Sequence, residues 1–122
     1  MSDFKTLQVW QKAHALSLNV DRACKDIRPR MYASLRSQLF RAAMSIASNI
    51  AEGTSQRTTK EFGRFVGIAL SSCSEVEHHL IVARDLNALP RATFDSLVMQ
   101  TVTVRKMLYG LRKGLNRTPT KT

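Results

Sequence analysis

Four uninterrupted apolar stripes, each stepping by three and four residues, decide what this chain can fold into. Val9, Ala13, Leu16, Val20, Ala23 and Ile27 form the first, and Leu35, Leu39, Ala42, Ile46 and Ile50 the second. Phe62, Val66, Ala69, Cys73, Val76, Leu80 and Ala83 form the third. The fourth is the most regular, with Phe94, Leu97, Thr101, Val104, Leu108, Leu111 and Leu115 alternating three and four. A strand would bury every second residue, so this spacing excludes a sheet. It is the buried face of helices packed nearly parallel to one another.

The breaks between stripes are few. Pro29 closes the first segment, Gly53 the second, and Asn87-Ala88-Leu89-Pro90 the third. Five Gly and three Pro in 122 residues are too few for an all-β domain, which turns every ~8–12 residues. The pattern predicts helices near 6–27, 32–52, 59–87 and 91–114, joined by short loops into an all-α, antiparallel, up-down-up-down four-helix bundle. A chain of this length makes one domain, expected over 1–114, with 115–122 as a flexible basic tail.

Local signals refine this. Thr58 followed by Glu61 is a capping-box pattern. Gly53 suits a left-handed C-cap position, and Pro90 suits a first helical turn. Ala43, Ala47 and Ala51 repeat every fourth residue, as do Gly63, Gly67 and Ser71. Small residues at that spacing bring two backbones close, either between the second and third helices or against another subunit. Beyond the stripes lie further apolar residues, Trp10, Leu18, Phe40, Met44, Leu70, Val98 and Val102. A lone bundle of this size does not bury them all, which predicts a homo-oligomer.

Nineteen Lys and Arg against nine Asp and Glu give a net charge of +10. Such an excess speaks to polyanionic partners rather than to fold. No apolar run is long enough to span a bilayer, and the first twenty residues lack a signal peptide's apolar stretch, so the expectation is a cytoplasmic protein with no membrane role. From Ser96 onward there are six cations and no acid. Arg105 and Arg112 are seven apart, as are Lys106 and Lys113, and Tyr109 falls between them on the same side. Cationic rungs with a ring between them suit a phosphate backbone and a stacked base. Arg36 and Arg41 belong to a second basic group without acids, and Arg57, Lys60 and Arg64 to a third. The third helix also holds Glu61, Glu75, Glu77 and Asp85, so the second and fourth helices are the expected polyanion-facing side.

Catalytic and metal signals are weak. Glu75 and His78 make one Glu-x-x-His, half of a di-iron motif whose other carboxylates and second half are missing. His14, His78 and His79 read as surface or rim side chains, without zinc spacing. Cys24 and Cys73 have no paired spacing and read as reduced, partly buried side chains. Ser71, Ser72 and Ser74 lack a nucleophile elbow or paired base, and no nucleotide-binding fingerprint is present. Asn49 and Glu52 read as structural, Asn49 bonding a closing turn or a neighbouring helix and Glu52 pairing with a nearby Arg. The reading is of a protein that is not an enzyme, with no catalytic residues, metal or cofactor.

Several stretches carry a family likeness. Leu7-Gln8-Val9-Trp10-Gln11-Lys12-Ala13, residues 35–46, Ser48-Asn49-Ile50-Ala51-Glu52-Gly53, and Lys60-Glu61-Phe62-Gly63-Arg64-Phe65 are the main ones. In these the chain resembles the small four-helix-bundle proteins encoded within 23S ribosomal RNA intervening sequences. The likeness covers about residues 4–90, with Ala47 and Ser71 departing from the family's frequent Pro and Gly. It implies a cytosolic bundle assembling into a ring, typically a pentamer, and kinship with basic accessory proteins of diversity-generating retroelements that engage nucleic acid and a reverse transcriptase. It brings no catalytic residues.

Together these readings predict a basic oligomeric bundle that binds structured RNA or other nucleic acid. Arg105, Lys106, Tyr109, Arg112 and Lys113 are the expected contacts, with Arg36 and Arg41 in support. The alternative is a structural ring that docks onto another protein and has no nucleic-acid role.

Overall fold

The computed structural model describes residues 3–28 and 30–117. After a short 3-10 turn over Phe4–Thr6 come α1 (Gln8–Cys24), α2 (Ala33–Thr54), α3 (Thr59–Asp85) and α4 (Arg91–Arg117). The predicted stripes are the core. Leu16, Leu39, Ile46, Ile50, Leu80 and Leu108 are fully buried, and Thr101 satisfies its hydroxyl by donating to the Leu97 carbonyl at 2.7 Å. Consecutive helices pack on one another, and α4 returns to α1, which leaves α2 and α4 at diagonal corners. Cross-helix contacts give the direction. Cys24 reaches the Arg36 carbonyl and Ser17 that of Ala43, so one residue number rises as the other falls. Phe62 beside Gly53 and Ser45 bonded to Ser72 show the same for α2 and α3. Neighbours are antiparallel.

Helix ends differ from the pattern for identifiable reasons. α1 stops at Cys24 rather than 27, because Lys25, Asp26 and Ile27 donate to carbonyls three residues back, a tighter last turn that still buries Ile27. α3 stops at Asp85 through a Schellman closure. Ala88 N–H donates to the Ala83 carbonyl at 2.8 Å and Asn87 N–H to that of Arg84 at 3.0 Å. Asn87 sits at φ 57°, a left-handed conformation that Asn accepts better than most residues. The Thr58 cap forms as read, its Oγ1 accepting from Glu61 N–H at 3.1 Å, while the Glu61 carboxylate accepts from Arg64. Pro90 lies just before α4, and its carbonyl accepts from Phe94. α4 runs three residues past the expected boundary to Arg117; the rest of the expected tail, 118–122, lies outside the described residues.

Gly53 is not a left-handed cap. Among the described residues no Gly has positive φ, and α2 continues through Thr54. Gly53 is required by proximity instead: a Cβ there would lie 2.8 Å from Phe62 Cδ1 and 3.1 Å from Phe65 Cβ. Gly63 and Gly67, read as lying either at the α2–α3 contact or against another subunit, would place a Cβ in open space, so the first of these does not hold. Of the extra apolar residues, Leu70 belongs to the core, and Trp10, Phe40 and Val98 pack against it. Leu18 and Met44 stay 45% and 43% exposed, and Met31, Ile68, Ile81, Leu86 and Met99, outside that set, are exposed as well.

Two stability measurements check this packing. Leu108→Ala leaves a cavity and is expected to cost ~2–5 kcal/mol by chemical denaturation. Gly53→Ala forces Phe62 to move and is expected to destabilise by about 1–2 kcal/mol, overpacking outweighing the better helix propensity. Gly110→Ala, with open space around it, is expected to stabilise by roughly 0.5–1 kcal/mol. Equal effects at Gly53 and Gly110 would remove the close approach.

Candidate nucleic-acid interface

The last turns of α4 hold the candidate residues, and the helix separates them by partner. Arg105 lies at the α3 edge, where its Nη1 donates to Glu77 Oε1 at 2.6 Å with both side chains about two-thirds buried. This charge is committed within the bundle. Arg112, one heptad on, is half-buried and lays its guanidinium 5.0 Å from the Tyr109 ring centroid. Tyr109 is 49% exposed, yet one face of its ring is taken by that cation, which leaves less of it for a base than its position suggests. Lys106 and Lys113 are exposed on the outer side of α4.

Arg36 and Arg41 do not join this group. Both stand on α2, diagonal to α4, and nearer the opposite end of the bundle. Arg36 is half-buried at the start of α2 against the end of α1. There burial raises the Cys24 thiol above its ordinary pKa, and the Arg36 charge opposes that rise. Arg41 is exposed on the rim of a groove between α1 and α2. His14, Leu18, Phe40 and Met44 line this groove of about 550 Å³, and the Trp10 ring stacks on His14 at 4.9 Å. The expected α2–α4 polyanion surface is therefore two separate places.

What sequence reasoning underrated is α3. Its first turns, with Lys60 and Arg64, lie at the same end of the bundle as the last turns of α4, because the two helices are antiparallel neighbours. The signal was available in the connectivity: in a bundle of short loops the third helix, not the second, flanks the fourth.

The remaining chemistry-bearing residues are structural in their contacts. Asn49 donates to the Ser45 carbonyl at 2.8 Å and to Ser45 Oγ at 3.0 Å; Ser45 and Ser72 hydroxyls share a bond of 2.9 Å, so a polar ladder ties α2 to α3. Glu52 is exposed and its carboxylate forms no ion pair with an Arg among the described residues; only its backbone carbonyl takes part in the closing turn, accepting from the Ser55 hydroxyl and the Gln56 amide. Of the Glu-x-x-His half-motif, Glu75 lies 3.6 Å from His79 Nε2, on its own helix. His79 is buried between helices rather than at the rim, while His14 and His78 are exposed. Both cysteines are free and buried, and burial pushes the Cys73 thiol up to about 12, which keeps it protonated at neutral pH. No helix among the described residues is long and apolar enough to cross a membrane.

The fold has a solved counterpart. A crystal structure from Bacteroides thetaiotaomicron, a protein of unknown function from the S23 ribosomal protein family, superposes with a TM-score of 0.79 at 20% identity, covering 86% of this chain and 98% of that one. That likeness concerns the fold alone. No curated protein matches the sequence. The model of the 23S rRNA-intervening sequence proteins matches residues 5–110, the four helices nearly entire. The chain belongs to the 23S rRNA-intervening sequence protein family.

Proposed function

We propose that this protein is a non-enzymatic, homo-oligomeric bundle that binds nucleic acid through the C-terminal half of α4. The observation that carries the reading is that Lys106 and Lys113 are exposed on a helix with no acid after Asp95. They stand about 10 Å apart along the axis, a span of roughly three nucleotide steps. RNA is the favoured polyanion, in keeping with the family's description, and the cytoplasm the favoured location. The α1–α2 groove, with Leu18 and Met44 exposed on it, supports assembly into a ring, for which a pentamer is the family expectation. Repetition of a modest cationic patch around a ring multiplies its affinity. The same groove supports the second reading, a structural ring that docks onto another protein.

Titration of structured RNA at two salt concentrations separates these readings. The first expects affinity to fall by an order of magnitude or more between about 50 and 200 mM salt; absence of binding at low salt selects the second. Lys106→Glu with Lys113→Glu is the informative charge reversal, expected to remove most RNA affinity while helicity and assembly persist. Reversal at Arg105 would also set a carboxylate against Glu77, confusing binding with stability. Unchanged affinity in the lysine double variant would make the α4 charge a solvated face only. Light scattering is expected to give a multiple of 13.7 kDa at micromolar concentration, and a monomer throughout would end the ring.

A further inference from the structure

The packing of the bundle does not account for Tyr109. Its ring stays 49% exposed and outside the core cluster, on a helix whose other aromatic residue, Phe94, is buried. Helical spacing places it between two columns of cations. Arg105 and Arg112 form the column nearer α3, where Glu77 holds Arg105. Lys106 and Lys113 form the outer column, three residues before the ring and four after it, and both are exposed. Along the axis each lysine therefore stands about 5–6 Å from the position of the ring, one on either side.

Three further observations describe this place. The Arg112 guanidinium lies 5.0 Å from the ring centroid, a contact that restrains the ring without burying it. A ring already restrained loses less freedom when something stacks on the part left open. Gly110 is exposed, four residues after Lys106 and three before Lys113, and a Cβ there would meet nothing within 4 Å. Gly is unfavourable in a helix interior, and no contact within the bundle requires it here. Its effect is a gap between the two ammonium groups, beside the ring. Neither lysine forms an ion pair among the described residues, and the acids of the adjoining surface are taken, Glu77 by Arg105 and Asp95 by Arg91.

We propose that Tyr109 is a stacking platform for an unpaired base of a nucleic-acid strand, with Lys106 and Lys113 holding the phosphates on either side of that base. The inference rests on the nucleic-acid reading above and names its ligand as single-stranded, such as the loop of a structured RNA. A nucleotide in a strand has a phosphate on each side of its base, and the ring has an ammonium group on each side along α4. In a duplex every base is already paired and stacked on its neighbours. Its backbone reaches the lysines, but the ring gains nothing from it. Stacking is tolerant of sequence, because every base offers a π-face. One ring with two ammonium groups therefore recognises that a base is unpaired, not which base it is.

Fluorescence anisotropy with the full chain tests this on three probes of equal phosphate number: oligouridine, an abasic ribose-phosphate strand and an RNA duplex. Oligouridine is expected to bind ~10-fold more tightly than the abasic strand, the difference being the stacked base. Tyr109→Ala is expected to lose that ~10-fold on oligouridine and to change little on the other two probes. Its salt slope is expected to match that of the unaltered protein, because stacking releases no counterions. Tyr109→Phe keeps the ring and is expected to recover most of the loss. Lys106→Gln with Lys113→Gln is the converse, expected to weaken all three probes and to lower the single-strand salt slope by about 1.4. Tyr109 lies outside the core, so circular dichroism is expected to show the same helicity in each variant. Equal affinity for oligouridine and the abasic strand overturns the platform and leaves the charge of α4 as the binding element. Oligouridine binding unaltered in Tyr109→Ala, or a loss in that variant that is as large on the duplex, does the same. No binding of any probe at low salt overturns both readings.

Discussion

The contact of the Phe62 ring with Gly53 is the constraint on which the arrangement of charge depends. It brings the end of α2 and the start of α3 closer than any side chain on residue 53 would permit. Four residues then suffice to reverse the chain between two long helices. The Ser45–Ser72 bond holds the same register nearly three turns further on, and Asn49 completes the ladder. With α3 placed against α2, its opposite flank receives α4, and Glu77 meets Arg105. The packing of the α2–α3 turn therefore sets the register in which α3 meets α4, and with it the Glu77–Arg105 pair.

That register divides the charge of the molecule into two kinds. Arg105 serves the fold, because a half-buried carboxylate without it would lose a charge-assisted bond. Arg84 and Arg91 both lie near the Phe94 ring and pair with Asp85 and Asp95, so the far end of α3 and α4 is closer to neutral. The exposed ion pairs contribute little to stability, but each one neutralises a cation that a polyanion would otherwise use. At the other end of these two helices, among the described residues, only Glu61 plays that part. The net charge is thus less informative than its distribution along the α3–α4 pair.

The stripes made the fold legible because helical burial is a one-dimensional signal: the same spacing that marks Leu108 in the sequence places it in the core. The Thr58 cap was legible for the same reason, being local. Gly53 was misread because the sequence shows that a glycine is needed, but not whether the need is a dihedral angle or a neighbouring ring. Leu70 and His79 are buried by the width of the bundle, which depends on two neighbours at once. The site was less legible still. Arg36 and Arg41 share a sign with Lys106 and Lys113, and only the cyclic order of the helices reveals that they face different surroundings. The resemblance identified the family but had no bearing on that geometry.

The proposed assembly and the proposed binding would draw on different surfaces of the same unit. The apolar groove lies between α1 and α2, and the exposed Lys106 and Lys113 stand on α4, diagonal to α2. A subunit that used the first to meet its neighbours would keep the second open, and each copy would present it in the same orientation by symmetry. The spacing of the patches would then be set by the ring, so that several could engage one polyanion while each contributed only a few phosphate contacts. Such a design does not need strong individual sites. Weak, salt-sensitive grips at fixed spacing would discriminate by the length and stiffness of the polyanion rather than by the identity of its bases, which is consistent with a patch whose exposed cations are Lys106 and Lys113.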